Sequence, residues 1–141
     1  MRNAILYLNW PMVLAVTAGY FALGLLWYNV LFGKYWSRVN HLEAANPQNR
    51  IWVLGRFFVL LFVICTVVGL MLNAIRCKEM SDCFIRSYIL IAGLVCGLVG
   101  ATLNAQRKPF AIWFIDITYH LLGTLLATLV LSRWGMTGSA Y

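Results

Sequence analysis

Two residues in this sequence have the type and position to do chemistry: Asp116 and His120, both inside the apolar run 110–131. An ionisable group within a bilayer is costly unless paired or hydrated, so it turns inward and marks a candidate site. The two are four residues apart, which stacks them on one helix face that Trp113, Gly123 and Ala127 extend. With a rise of about 1.5 Å per residue, Asp116 lies roughly 10 Å below Pro109 and His120 roughly 16 Å below it, near the midplane. A histidine has an ordinary pKa of about 6.5 and changes charge with modest changes of surroundings, which suits proton transfer.

Other polar groups fall at a comparable level. Tyr28 and Asn29 stand near the end of the first apolar run, Arg56 at the start of the second and Asn104 at the end of the third. The sharp reading pairs Arg56 with Asp116, lets Tyr28, Asn29 or Asn104 complete the hydrogen bonds, and makes His120 the inner titratable member. The plain reading is a structural ion pair and a neutral histidine bonded to a neighbouring helix. The sequence leaves both open. Haem or pigment ligation by His120 would need a second intramembrane histidine from another copy or a partner for two-histidine binding, so no cofactor is expected. No zincin pattern, nucleophile elbow or phosphate-binding glycine loop occurs, so neither an enzyme nor a metal site is indicated.

The elements that position these residues follow from composition. The 141 residues are 62% hydrophobic and 11% charged, too apolar to cover a water-soluble domain. A bilayer core of about 30 Å needs roughly 20 consecutive apolar residues per helix. Four such runs occur, at 11–32, 57–75, 84–103 and 110–131. Runs such as Val59 to Ile64 lack the alternation of a β-barrel strand. The first run is too long for the apolar core of a signal peptide and reads as a retained helix. The expectation is an all-α integral membrane bundle of four transmembrane helices forming a single domain over 1–141. Tyr35, Val39 and Leu42 at helical spacing, with Lys34, Arg38 and His41 beside them, add a short interfacial helix in the first loop, ended near Pro47. Trp10, Trp27, Tyr28, Trp36, Trp52 and Trp134 mark run boundaries, where aromatic belts form.

Side A is the face holding both termini and the second loop; side B holds the first and third loops. Arg2, Arg76, Lys78, Arg86 and Arg133 on side A nearly balance Lys34, Arg38, Arg50, Arg56, Arg107 and Lys108 on side B, so basic residues leave the orientation open. The net charge of +7 is scattered at the ends of apolar runs, which favours anionic membrane lipids as partners over nucleic acid. Cys77 and Cys83, in the loop between the second and third helices, are near enough in sequence for a disulfide in an oxidising compartment, or else remain two thiols. Gly93, Gly97 and Ala101 on the third helix, and Ala15 and Gly19 on the first, recur every four residues as helix-packing stripes, within the bundle or between copies.

Two segments resemble a known family. Gly24 through Tyr28, with Leu31, Phe32, Gly33, Lys34 and Trp36, is similar to one signature of the bacterial membrane-protein family called domain of unknown function 1761. Pro109 to Trp113, with Asp116, Tyr119, His120 and Leu121, resembles its second signature. The resemblance implies a small four-helix membrane protein of the bacterial inner membrane and no established activity. Two roles are expected from the residues: an oligomeric transporter or channel for protons, a metal ion or a small solute that uses the Asp/His site, or an accessory or assembly subunit packing against a larger membrane complex.

Overall fold

The computed structural model describes residues 8–39, 47–74 and 80–134. It runs as α1 (Trp10–Leu25), a π-helical continuation (Leu26–Leu31), α2 (Gly33–Val39), α3 (Pro47–Ala74), α4 (Met80–Ala105) and α5 (Phe110–Trp134). Four stretches are long and apolar enough to cross a membrane: Trp10–Leu31, Ile51–Ala74, Phe84–Ala105 and Phe110–Trp134. The protein is an all-α, multi-pass membrane bundle with α2 as a short interfacial helix in its first loop.

Helix ends follow local chemistry. Asn9 caps α1, its Oδ1 accepting from the Met12 N–H at 3.3 Å, and Pro11 occupies the first turn, where an N–H would be unmatched. The Asn9 amide also donates to the Trp134 carbonyl at 3.1 Å, tying the start of α1 to the end of α5 on side A. α3 begins at Pro47 rather than at the expected Phe57. Proline suits the first helical position, and the two arginines that cut the apolar run short, Arg50 and Arg56, lie inside the helix without breaking it. Leu42 and His41 of the expected interfacial stripe lie outside the described residues.

α5 is the central helix and α4 the peripheral one: 44% of the α5 span is buried against 11% of the α4 span. α5 packs on α1, α3 and α4. The core is the seam between α1 and α5, where Tyr20 and Tyr119 are both fully buried with ring centroids 5.3 Å apart. Gly123 permits this approach, because a Cβ built there would overlap the Tyr20 ring. Three buried threonines satisfy themselves within their own helices: Thr17 donates to the Val13 carbonyl at 2.8 Å, Thr124 to that of His120 at 2.7 Å and Thr128 to that of Thr124 at 2.7 Å.

Of the small-residue stripes, expected to pack within the bundle or between copies, the one on α4 does not pack within the bundle and the one on α1 does so only at Gly19. Gly93, Gly97 and Ala101 are exposed on the outer face of α4, with no described atom within 4 Å of a Cβ added at either glycine. Ala15 is exposed, and Gly19 meets only Leu126, at 3.8 Å. Spacing locates a smooth helix face but not what lies against it.

Gly123→Ala is therefore expected to destabilise the bundle by about 2 kcal/mol or more, because the Tyr20 ring has to move. Gly97→Ala is expected to stay within about 0.5 kcal/mol of wild type in the monomer. Unfolding titrations in mixed micelles check both.

Candidate functional site

Asp116 accepts two hydrogen bonds on one oxygen. The Tyr28 hydroxyl donates to Oδ1 at 2.9 Å and Trp36 Nε1 donates to it at 3.2 Å, with the two donor rings 4.9 Å apart. Tyr28 comes from the π-helical turn and Trp36 from α2, so one carboxylate joins three elements. Phe32 N–H donating to the Trp27 carbonyl at 2.9 Å, five residues back, marks that wider turn. More residues per turn bring consecutive side chains closer in direction than the about 100° of an α-helix. Trp27 and Tyr28 thus both reach α5, the Trp27 indole donating to the Ile115 carbonyl at 3.1 Å.

His120 sits one turn deeper. Its Nδ1 is 2.9 Å from the Tyr20 hydroxyl, and that hydroxyl also lies 3.3 Å from the His120 carbonyl oxygen. The hydroxyl can donate to a bare Nδ1. If Nδ1 takes a proton, the hydroxyl can turn to the carbonyl and accept from Nδ1–H, with no heavy atom displaced. Tyr119 packs between the two centres: its ring lies 5.1 Å from that of Tyr28 and 4.9 Å from that of His120, and its hydroxyl donates to the Tyr20 carbonyl at 3.3 Å.

Each ionisable group keeps one atom uncommitted. Among the described residues no donor reaches Asp116 Oδ2 and no partner meets His120 Nε2. The only buried side-chain nitrogen or oxygen lacking a partner among them is Ser87 Oγ, so these half-buried atoms both reach the bundle surface. Lys108, at the α4–α5 turn, acts electrostatically on Asp116 from side B. No group of three His, Cys, Asp or Glu side chains placed for a metal occurs among the described residues.

The expected residues divide. Asp116, His120 and Tyr28 converge on the α1–α5 seam. Arg56 does not pair with Asp116: it is exposed on α3, and the ion pair found among the described residues is Arg86 with Asp82, 2.8 Å apart near the start of α4. The reason is helical rotation. Phe57, the next residue, faces the seam and stacks on Tyr119 at 6.1 Å, which turns Arg56 outward. Asn29 is exposed and its amide donates to the Leu25 carbonyl at 2.8 Å, within its own helix. Asn104 lines a separate cleft with Lys108. The Cys77–Cys83 pairing lies outside the described residues; Cys65, buried, and Cys96 are free thiols inside helices. Trp36, Tyr20 and Tyr119 complete the site; Trp36 and Tyr119 stood in the family signatures without a role of their own, and Tyr20 was not singled out. A further signal was Tyr20 and Tyr28, eight residues apart and so near one face of the first span.

Together these features define a small polytopic membrane protein with one intramembrane carboxylate and one intramembrane histidine, each held by a tyrosine. The chain belongs to the family described as protein of unknown function DUF1761, whose family model matches residues 11–132. Neither a curated protein nor a solved structure matches it.

Tyr28→Phe and Trp36→Phe each strip one donor from Asp116 and are expected to cost about 1–3 kcal/mol. Tyr35→Phe, on the exposed side of α2, is expected to leave stability unchanged. Equilibrium unfolding in lipid–detergent micelles measures all three.

Proposed function

We propose that this chain is a small oligomeric membrane transporter or channel for protons, a metal ion or a small solute, working through Asp116 and His120 on α5. The observation that carries the reading is that each group is fixed on one atom by a tyrosine and keeps the other atom open at the bundle surface. Asp116 Oδ2 can accept a proton or coordinate a cation without loss of the bonds from Tyr28 and Trp36. The Tyr20 hydroxyl accommodates His120 in either protonation state. Four helices leave little room for a private pathway, so the reading calls for at least a dimer whose second copy completes the path beside α5. It puts the chain in the bacterial inner membrane; four helical spans, rather than the alternating strands of an outer-membrane barrel, support that.

In proteoliposomes under a pH gradient, wild type is expected to carry a flux that Asp116→Asn and His120→Ala each reduce at least about tenfold, the worth of one lost charge-assisted hydrogen bond. A wild-type flux equal to that of empty liposomes, or variants equal to wild type, would overturn the reading.

A second reading has its own support. Gly93, Gly97 and Ala101 present an unoccupied small-residue face on α4, which suits close approach by a helix of a larger membrane complex. Purification in mild detergent followed by mass spectrometry separates the two: recovery with a second membrane protein favours an accessory subunit, and recovery as a self-oligomer alone counts against it.

A further inference from the structure

One face of α3 is turned wholly outward, and a cation stands in it. Trp52, Arg56, Val59, Leu60, Val63 and Val67 recur at helical spacing and so share one stripe, and all six are exposed. The opposite stripe, with Leu61, Cys65 and Val68, is buried in the core. We propose that Arg56 holds the phosphate of an anionic phospholipid from the side B leaflet, with the Trp52 indole N–H as a second donor and an acyl chain along Val59 and Val63. The inference is independent of the transport reading, since it concerns the outer face of α3 and uses neither Asp116 nor His120.

Depth is the first support. Arg56 lies five residues, about 7.5 Å, inside the apolar span Ile51–Ala74. Its neighbour Phe57 stacks on Tyr119 with ring centroids 6.1 Å apart, and Tyr119 lies nine residues, about 13.5 Å, inside the span that begins at Phe110. Both measures put the Arg56 backbone among hydrocarbon rather than headgroups. A helical side chain tilts toward the helix N-terminus, which for α3 is side B, so the long arginine stem carries its guanidinium up toward phosphate level. Trp52 stands one turn nearer that side, where the stem leads.

Charge is the second. A guanidinium turned toward lipid needs an anion, because an uncompensated charge inside a bilayer is costly. Among the described residues Arg56 meets no acceptor, the ion pair there being Arg86 with Asp82. The Trp52 indole, which can only donate, meets none among them either. Arginine presents its N–H groups in a planar fork that fits two oxygens of one phosphate, and the indole N–H can serve a third. No described atom lies within 4 Å of a Cβ built at Gly55, so the flank of the stripe is clear for a headgroup.

Composition is the third, and it favours a lipid over a second copy as the source of the anion. The chain has 11 Lys and Arg against 4 Asp and Glu, and Asp82 is already paired, so another copy has few carboxylates to offer. The stripe around Arg56 also carries Val59, Leu60, Val63 and Val67 in place of the glycine and alanine that let two helices approach closely, and branched aliphatic side chains suit acyl chains. The net charge of +7 favours an anionic over a zwitterionic headgroup.

The test is lipid titration of the purified full chain, read by native mass spectrometry, with phosphatidylglycerol against phosphatidylcholine. Wild type is expected to favour phosphatidylglycerol, Arg56→Gln to weaken that binding roughly tenfold and Trp52→Phe roughly threefold, while the side A variant Arg133→Gln changes it less than about twofold. Arg56 and Trp52 are both exposed, so both variants are expected to melt with wild type in lipid-free detergent, which separates loss of lipid from loss of fold. Absence of a phosphatidylglycerol preference, or wild-type binding by Arg56→Gln, would overturn the proposal. Equal weakening by Arg133→Gln would do the same by assigning the preference to overall charge. Loss of self-association in Arg56→Gln with lipid binding intact would reassign the arginine to a second copy, and displacement of the lipid by millimolar inorganic phosphate would reassign it to a free anion; either result would overturn the lipid site.

Discussion

A carboxylate surrounded by hydrocarbon has to find donors within the protein, and the way Asp116 finds them organises one end of this bundle. Its two donors come from neighbouring elements of the chain, Tyr28 in the π-helical turn and Trp36 in α2. To deliver both, α1 widens its last turns and the chain then folds back, so an interfacial helix becomes part of a site below the interface. The requirement is electrostatic, since an uncompensated charge or unpaired polar group costs far more here than in water. It accounts for a non-α turn in the first span without appeal to flexibility.

The same seam shows how packing replaces the hydrophobic effect where lipid tails are as apolar as leucine. Tyr20 enters the space left by the missing side chain of Gly123, and its hydroxyl meets His120. Contact and chemistry therefore share residues. A substitution that loosens the α1–α5 approach also moves the partner of the histidine, and a change of charge at the histidine is felt at the helix contact. α4 is attached more lightly and turns most of its surface outward, so it is the element with room for lipid or another helix.

The sequence disclosed the number of spans and most of their ends, because an apolar run of sufficient length has few alternatives. It misplaced the start of α3, since Arg50 and Arg56 read as loop residues although a helix can carry them toward headgroups. It identified Asp116 and His120 as inward-facing groups and Tyr28 as a companion, from depth and topology. It paired Asp116 with Arg56 wrongly, because depth fixes the level of a residue but not its rotation about the helix axis, and one residue of rotation exchanges Arg56 for Phe57. Trp36 was legible as a belt residue and as part of a family signature; its role as a donor depends on where α2 folds. The glycine stripes left open whether they pack within the bundle or between copies for a related reason. Gly123 and Gly97 are alike in sequence, and only the neighbouring helix tells them apart.

The central claim is that Asp116 is held by Trp36 and Tyr28 across the membrane interface, which makes α2 part of the site. The most direct test is the indole ¹H–¹⁵N resonance of Trp36 in lipid nanodiscs, compared between wild type, Asp116→Asn and Tyr28→Phe. The account expects a hydrogen-bonded, exchange-protected indole N–H in wild type that shifts on Asp116→Asn and moves to a smaller extent on Tyr28→Phe. A Trp36 resonance that exchanges freely with water and is indifferent to Asp116→Asn would contradict it.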